Sequence, residues 1–252
     1  MKDTKTLAYI NMYAILGSLQ ELCAFSPDAA ALLKGQPPIT IVMEIRDGPA
    51  LTIAFKDGRC STAPGVSRCD VKFNFSSFDK FNGLIDGTVS PIPSKGLTKV
   101  GFLKNVFTPL TEMLPRYLKA TPEDLSDDTF FTASTTMMLC VITEALAQIG
   151  NNDKIGRFTA GNMKDGRICL SICEGPATEL IVRNHTLAAR KTRPEKFDSI
   201  MEFKDMRLAR DLFDGKASAL AAIGRGDISM RGYIANIDNL NRLLDRVAAY
   251  LA

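Results

Sequence analysis

The chain of 252 residues contains no tryptophan and only one histidine. A serine or cysteine nucleophile needs a base beside it, most often histidine, but His185 stands in a polar Asn-His-Thr segment that is typical of a turn. The sequence also lacks Gly-x-Ser-x-Gly and the glycine loops that bind phosphate. It therefore offers no catalytic residues, and we expect a protein that is not an enzyme.

A strong charge of either sign is also absent. The chain has 31 Lys and Arg against 28 Asp and Glu, which leaves a net charge of +3. This surplus is too small to predict a nucleic-acid partner. The one local basic cluster, Arg190 to Lys196, is typical of a solvated loop, and it predicts at most a transient contact with a membrane surface.

Six cysteines are spread along a chain long enough to build its own core, so no disulfide framework is needed. Cys169 and Cys173 have no second pair at zinc spacing, and we expect both to pack as small apolar side chains. The sequence therefore predicts reduced thiols, a cytoplasmic location, and neither a metal nor a cofactor.

Long hydrophobic runs are missing as well. The most apolar stretch, residues 135–149, is interrupted by Glu144 and Gln148. It falls short of the roughly 20 apolar residues that cross a bilayer. We expect a buried helix there.

The periodicity of the apolar residues predicts an α+β protein. Residues 4–34 follow a helical pattern, and residues 39–45 and 51–55 then alternate with period two around the turn Asp47-Gly48, as in a β-meander. A similar order restarts after an acidic stretch at 119–128. We therefore predict two units, 1–120 and 121–252.

The restart contains an internal repeat. Residues 70–87 align without a gap on 198–215, and five of the 18 pairs are identical, including Asp70 with Asp198 and Gly87 with Gly215. The turns Asp47-Gly48 and Asp165-Gly166 are expected to correspond, with a strand between Gly156 and Lys164.

Several local segments resemble the sterol carrier protein type 2 family, also called nonspecific lipid-transfer or sterol-binding domains. These segments are residues 51–58 (Leu-Thr-Ile-Ala-Phe-Lys-Asp-Gly), residues 70–87 ending in Leu-Ile-Asp-Gly, and residues 213–232, where Gly215-Lys216 precedes Gly-Asp-Ile-Ser-Met-Arg-Gly. The first unit has the proline-rich segment 90–96 in place of this last pattern.

The resemblance implies two sterol-carrier-like units, each a mostly antiparallel five-stranded sheet covered on one face by helices around an apolar tunnel. Such a tunnel would hold a fatty acid, acyl-CoA, phospholipid or sterol-like lipid, because removing its apolar surface from water gains about 25 cal/mol per Å². The candidate ligand-binding residues are Phe73, Phe75, Phe81, Leu84, Val106, Phe107, Leu110, Met201, Phe203, Leu212, Phe213, Ile237, Leu240 and Leu244.

The same side chains also fit an ordinary hydrophobic core. An interaction or regulatory module of the same fold without a tunnel, acting through protein contacts and able to form a homodimer, therefore stays open as the alternative function.

Overall fold

The computed structural model describes residues 2–251, which divide into two compact units. Of the described residues, Asp3–Met137 form one unit, and residues 138–251 form the other together with Lys2. The division falls inside the helix Asp128–Asn152, later in the chain than the boundary predicted after residue 120.

The first unit places a helical stretch before a four-stranded sheet and more helices after it. Its regular elements are α1 (Thr4–Ile10), α2 (Leu19–Phe25), α3 (Pro27–Leu33), β1 (Ile39–Ile45), β2 (Ala50–Lys56), β3 (Arg59–Pro64), β4 (Val71–Phe75), α4 (Phe78–Ile85), α5 (Val100–Phe102) and α6 (Thr108–Leu118). The first unit also has two π-helical segments, Asn11–Ile15 and Leu103–Phe107, and 3₁₀ turns at Leu16–Ser18, Leu97–Lys99 and Asp124–Ser126.

The first sheet has the strand order β3-β2-β1-β4. β1 pairs antiparallel with β2 and parallel with β4. Alternate residues, such as Ile41, Ile53 and Val71, belong to one apolar cluster together with residues of the helices. The period-two pattern thus turns one face of the sheet toward the helices and buries it.

The prediction of five strands is wrong for the first unit, and the proline-rich segment explains why. Pro91 and Pro93 have no N–H to donate to a neighbouring strand. Only one isolated bridge remains at the β4 edge, where Lys72 N–H bonds the Lys95 carbonyl at 3.1 Å and Ser94 N–H bonds the Lys72 carbonyl at 2.8 Å.

The second unit has a similar order of elements with a complete fifth strand. After α7 (Asp128–Asn152), its elements are α8 (Lys154–Gly161), β5 (Gly166–Ile172), β6 (Ala177–Arg183), β7 (Thr186–Arg190), β8 (Ser199–Phe203), α9 (Met206–Phe213), α10 (Ala219–Gly224), β9 (Ile228–Gly232) and α11 (Ile234–Leu251). The strand order is β7-β6-β5-β8-β9, with β5 and β8 parallel. Both sheets are therefore mixed, which corrects the expectation of mostly antiparallel sheets.

Equivalent hydrogen bonds hold the parallel strand in each unit. The Asp70 carboxylate accepts the N–H of Thr40 at 2.8 Å, and the Asp198 carboxylate accepts the N–H of Arg167 at 2.8 Å. The backbone N–H groups of the two aspartates bond the carbonyls of the same two residues. The identical pair in the aligned block thus marks one structural position.

The turn correspondence predicted from the sequence is wrong. Gly48 N–H bonds the Ile45 carbonyl at 3.0 Å, and Gly175 N–H bonds the Ile172 carbonyl at 3.0 Å. Asp47-Gly48 therefore corresponds to Glu174-Gly175, whose first residue also has a positive φ. Gly166 instead opens a strand.

Long helix α7 is apolar on most of its surface. Its length and composition would allow it to cross a membrane, but 78% of its most apolar window is buried within the protein. The buried helix predicted for residues 135–149 is confirmed. At its start, the Asp127 carboxylate accepts the N–H of Phe130 at 2.7 Å, which satisfies a free donor at the first turn.

A helix, α8, replaces the strand expected between Gly156 and Lys164. Asp153 accepts the N–H of Gly156 at 2.8 Å and so caps this helix. The same carboxylate pairs with Arg246 at 2.5 Å and accepts the Tyr250 hydroxyl at 2.8 Å. Because these partners come from α11, the cap depends on residues far away in the sequence.

Burial raises the pKa of Asp153, but hydrogen bonds from Arg246, from the Gly156 N–H and from Tyr250 lower it by more, so the pKa lies below its usual value. The ionised carboxylate is thus favoured by folding, and its contribution is present above the unfolded pKa of about 3.9.

We predict that Asp153→Asn lowers the free energy of unfolding at neutral pH by about 3 kcal/mol, because Arg246 loses its counter-ion in a largely buried position. The deficit should shrink as the pH falls from about 4 toward the lower pKa of the folded carboxylate, because the stabilisation from ionised Asp153 is lost over that range. Urea unfolding across a pH series measures both effects.

Asp238→Asn is the matched control, since Asp238 pairs with Arg242 on the same helix but both side chains are more than half exposed. Its cost should stay below about 1 kcal/mol. Equal losses for the two variants would contradict the assigned role of Asp153.

Candidate ligand-binding interior

The first-unit candidate residues lie together. Six of them are buried members of one apolar cluster, and Leu84 packs against it. They come from β4, from α4, from the π-helical segment 103–107 and from α6: Phe73, Phe75, Phe81, Leu84, Val106, Phe107 and Leu110. Residues separated by more than thirty positions in the chain thus line one interior between sheet and helices.

Aromatic contacts organise this interior. Phe75 and Phe81 meet edge to face with ring centroids 5.1 Å apart, which links β4 to α4. Phe55 of β2 lies 5.4 Å from Phe102 and 6.3 Å from Phe107.

Sequence reasoning missed Phe55 and Phe102 as members of this site. Both carried a signal: Phe55 occupies an inward position of the alternating strand, and Phe102 lies four residues before Val106 on the same helical stripe. What the sequence did not give was the contact between the two elements.

The helical stretch over the interior is irregular where it carries candidate residues. Thr108 N–H bonds the Leu103 carbonyl, five residues back, as in a π-helix. Pro109 then has no N–H to continue the ladder. A π-helical segment thus ends just before Pro109, and such segments are frequent at functional sites.

Buried amides hold α4 against the first helical stretch. Asn11, at the start of the other π-helical segment, donates to the side-chain oxygen of Asn82 at 3.0 Å, and Asn82 donates to the Thr4 carbonyl at 3.0 Å. Asn82 stands between Phe81 and Leu84 on α4. This polar link therefore positions two candidate residues.

The second-unit candidates lie on β8, α9 and α11. Met201, Phe203 and Leu240 are buried. The half-buried ones are Leu212, Phe213, Ile237 and Leu244. Both helices pack against β8, and Phe203 meets Phe213 edge to face at 5.7 Å. The structure thus brings β8, α9 and α11 together as the sequence pattern required.

Cys169, Cys173 and His185 of the second unit differ in their surroundings. Cys169 is fully buried on β5, and burial raises the pKa of its thiol, which opposes the thiolate form needed for attack. Cys173 is exposed beyond the end of β5, so its expected packing is wrong. His185 is exposed at the β6–β7 turn with a φ of 61°, as the turn assignment required.

Residues 2–251 contain no group of three or more His, Cys, Asp or Glu side chains placed to hold a metal ion. The cysteines described are all free.

No family model matches the chain, and no curated protein matches its sequence. Among solved structures, the chain is similar to the sterol carrier protein domain 2 of Helicoverpa armigera, with 16% identity and a TM-score of 0.36, covering 44% of this chain and 89% of that chain. The chain is also similar to sterol carrier protein 2 from Yarrowia lipolytica, with 15% identity and a TM-score of 0.31, covering 40% of this chain and 92% of that chain. A third similar structure is the inverting sec-alkylsulfatase of a Pseudomonas species, with 11% identity and a TM-score of 0.25, covering 59% of this chain and 28% of that chain.

We predict that Asn82→Leu destabilises the protein by about 2 kcal/mol, because the Asn11 amide and the Thr4 carbonyl lose a partner near the buried end of α4. Adding Asn11→Leu should recover part of this loss, since both members of the amide pair are then apolar. A double-mutant cycle by urea unfolding tests this, and a neutral Asn82→Leu would contradict it.

Proposed function

We propose that the protein binds and carries a long-chain hydrophobic ligand, such as a fatty acid, an acyl-CoA, a phospholipid or a sterol-like lipid, without catalysing a reaction. The observation that carries this proposal is the first-unit interior. Its candidate residues come from separate elements, belong to one apolar cluster and carry no titratable side chain. An acyl chain needs no more than such a surface to be retained.

The irregular wall of this interior supports entry of a ligand. The helical stretch that carries Val106 and Phe107 uses the wider π-type hydrogen bonding and meets Pro109 directly afterwards. A wall with an interrupted hydrogen-bond ladder opens locally at lower cost than a regular helix. This stretch is therefore the proposed lid.

We further propose that the two units are tandem copies of one lipid-binding fold. The equivalent carboxylate bonds of Asp70 and Asp198 support this, as do the edge-to-face pairs Phe75–Phe81 and Phe203–Phe213. The segments that resemble the sterol carrier protein type 2 family lie in both units. On this proposal each unit has its own binding interior.

The competing function is the interaction module without a tunnel. It is favoured by the close aromatic contacts around Phe55, which let side chains alone fill the interior. A homodimer that takes up no lipid would fit this reading.

The absence of tryptophan gives a sharp test. Phe107→Trp and Phe213→Trp each place the single tryptophan in one proposed interior, with an aromatic ring replacing an aromatic ring. We predict that a brominated fatty acid quenches both fluorophores in a saturable way, because a bromine atom quenches tryptophan only near contact. The amplitude for each variant reports whether that unit is occupied.

Phe158→Trp is the matched control, since Phe158 is 72% exposed on α8. It should show only weak, non-saturable quenching. If all three variants respond alike, or none responds, the proposed carriage is contradicted.

A further inference from the structure

The first unit carries an unusual exposed segment between α4 and α6. Ile92, Leu97 and Val100 expose 81%, 65% and 49% of their surface. Large aliphatic side chains that are close in the chain and turned to water mark an interaction surface more often than a solitary one does. These three residues define the aliphatic patch.

The charge around the aliphatic patch has one sign. Between Asp86 and Glu112 the chain has three lysines, Lys95, Lys99 and Lys104, and no acidic residue. All three lysines are exposed. Lys99 and Lys104 take part in no ion pair with any residue that the structure describes.

Neighbouring acidic groups are already satisfied. Glu44 pairs with Lys72 at 2.5 Å, and the Asp70 carboxylate accepts the Thr40 N–H. Lys95 donates its Nζ to the Cys69 carbonyl, whereas the charges of Lys99 and Lys104 have no ion-pair partner among the described residues and complement an anionic surface.

The patch is also held in place before it meets a partner. Pro91 and Pro93 flank Ile92, and Ser94 is fixed to β4 by its N–H and by the Asn74 side-chain amide at 2.8 Å. A preorganised surface loses little conformational freedom on binding.

We infer that the aliphatic patch and its lysines dock the first unit on an anionic lipid bilayer. The aliphatic side chains enter the headgroup boundary, and the lysines contact anionic headgroups. This inference is independent of whether the interior takes up a lipid. If both hold, docking brings the π-helical segment 103–107, which begins directly after α5, against the membrane that supplies the ligand.

Two exposed aliphatic residues of the second unit have neighbouring cations that are mostly paired. Leu220 and Ile234 expose 81% and 84%. Two neighbouring cations are paired, Arg225 with Asp227 at 2.7 Å and Lys216 with Asp214 at 2.9 Å, and Arg231 alone takes part in no ion pair with a described residue. This region therefore serves as the internal control.

Flotation of the full chain with phosphatidylcholine vesicles, with and without an equal share of phosphatidylglycerol, tests the inference. The wild type should bind the anionic vesicles only. The triple variant Ile92→Ser, Leu97→Ser, Val100→Ser should lower the partition coefficient by on the order of ten-fold. The pair Lys99→Gln, Lys104→Gln should lower it about five-fold for each lysine removed.

Leu220→Ser with Ile234→Ser should bind as the wild type does. Circular dichroism and urea unfolding confirm that each variant folds, which is expected because every replaced side chain is exposed. Three results would each overturn the inference: equal losses for the control and the triple variant, a triple variant that binds normally, or no binding by the wild type. The last would point instead to an acidic protein surface.

Discussion

A sheet with one apolar face cannot leave that face in water, and this constraint governs the first unit. The inward residues of β1, β2 and β4 are covered by the first helical stretch, by α4 and by the helical stretch that ends in α6. Aromatic contacts hold two of these covers: Phe81 of α4 meets Phe75, and Phe102 and Phe107 of the last stretch meet Phe55. The Asn11–Asn82 amides add a polar tie to α4. Residues 97–107 of the last stretch form no side-chain hydrogen bond with a described residue, which suits this part of the cover to open.

Polar side chains of the second unit bond backbone groups at the ends of its helices and at the edge of its sheet. Asn151 of α7 donates to and accepts from the backbone of Leu187, and so continues the hydrogen-bond ladder of edge strand β7. Asn236 does the same with the backbone of Lys164 at the start of α11. Together with Asp153, these side chains fix where helices begin and where the sheet ends. The apolar side chains then need only fill the core, and adaptable side chains such as methionine suit this role.

The spacing of apolar residues and the capping residues predict those helices and strands whose signals lie within a few residues. The alternation over 39–45 and the helix from Phe78 were predictable because period and caps lie within a few residues. Helix α8 was missed although its capping bond is local, and the contacts that hold the capping carboxylate, from Arg246 and Tyr250, come from the far end of the chain. Most of the candidate site followed from inward-facing positions, but the pairing of Phe55 with Phe102 required the tertiary fold. In the first unit, Pro91 and Pro93 already indicated that a fifth strand would not form, whereas the resemblance to five-stranded domains predicted one.

The central claim is that the protein carries a hydrophobic ligand, and native mass spectrometry of the protein purified from its own host tests it most directly. The account predicts a discrete mass above that of the chain, lost on denaturation and recovered in an organic extract as a fatty acid, phospholipid or sterol. One or two equivalents would show whether one interior or both are occupied. A bare mass that stays bare after incubation with oleate would contradict the claim.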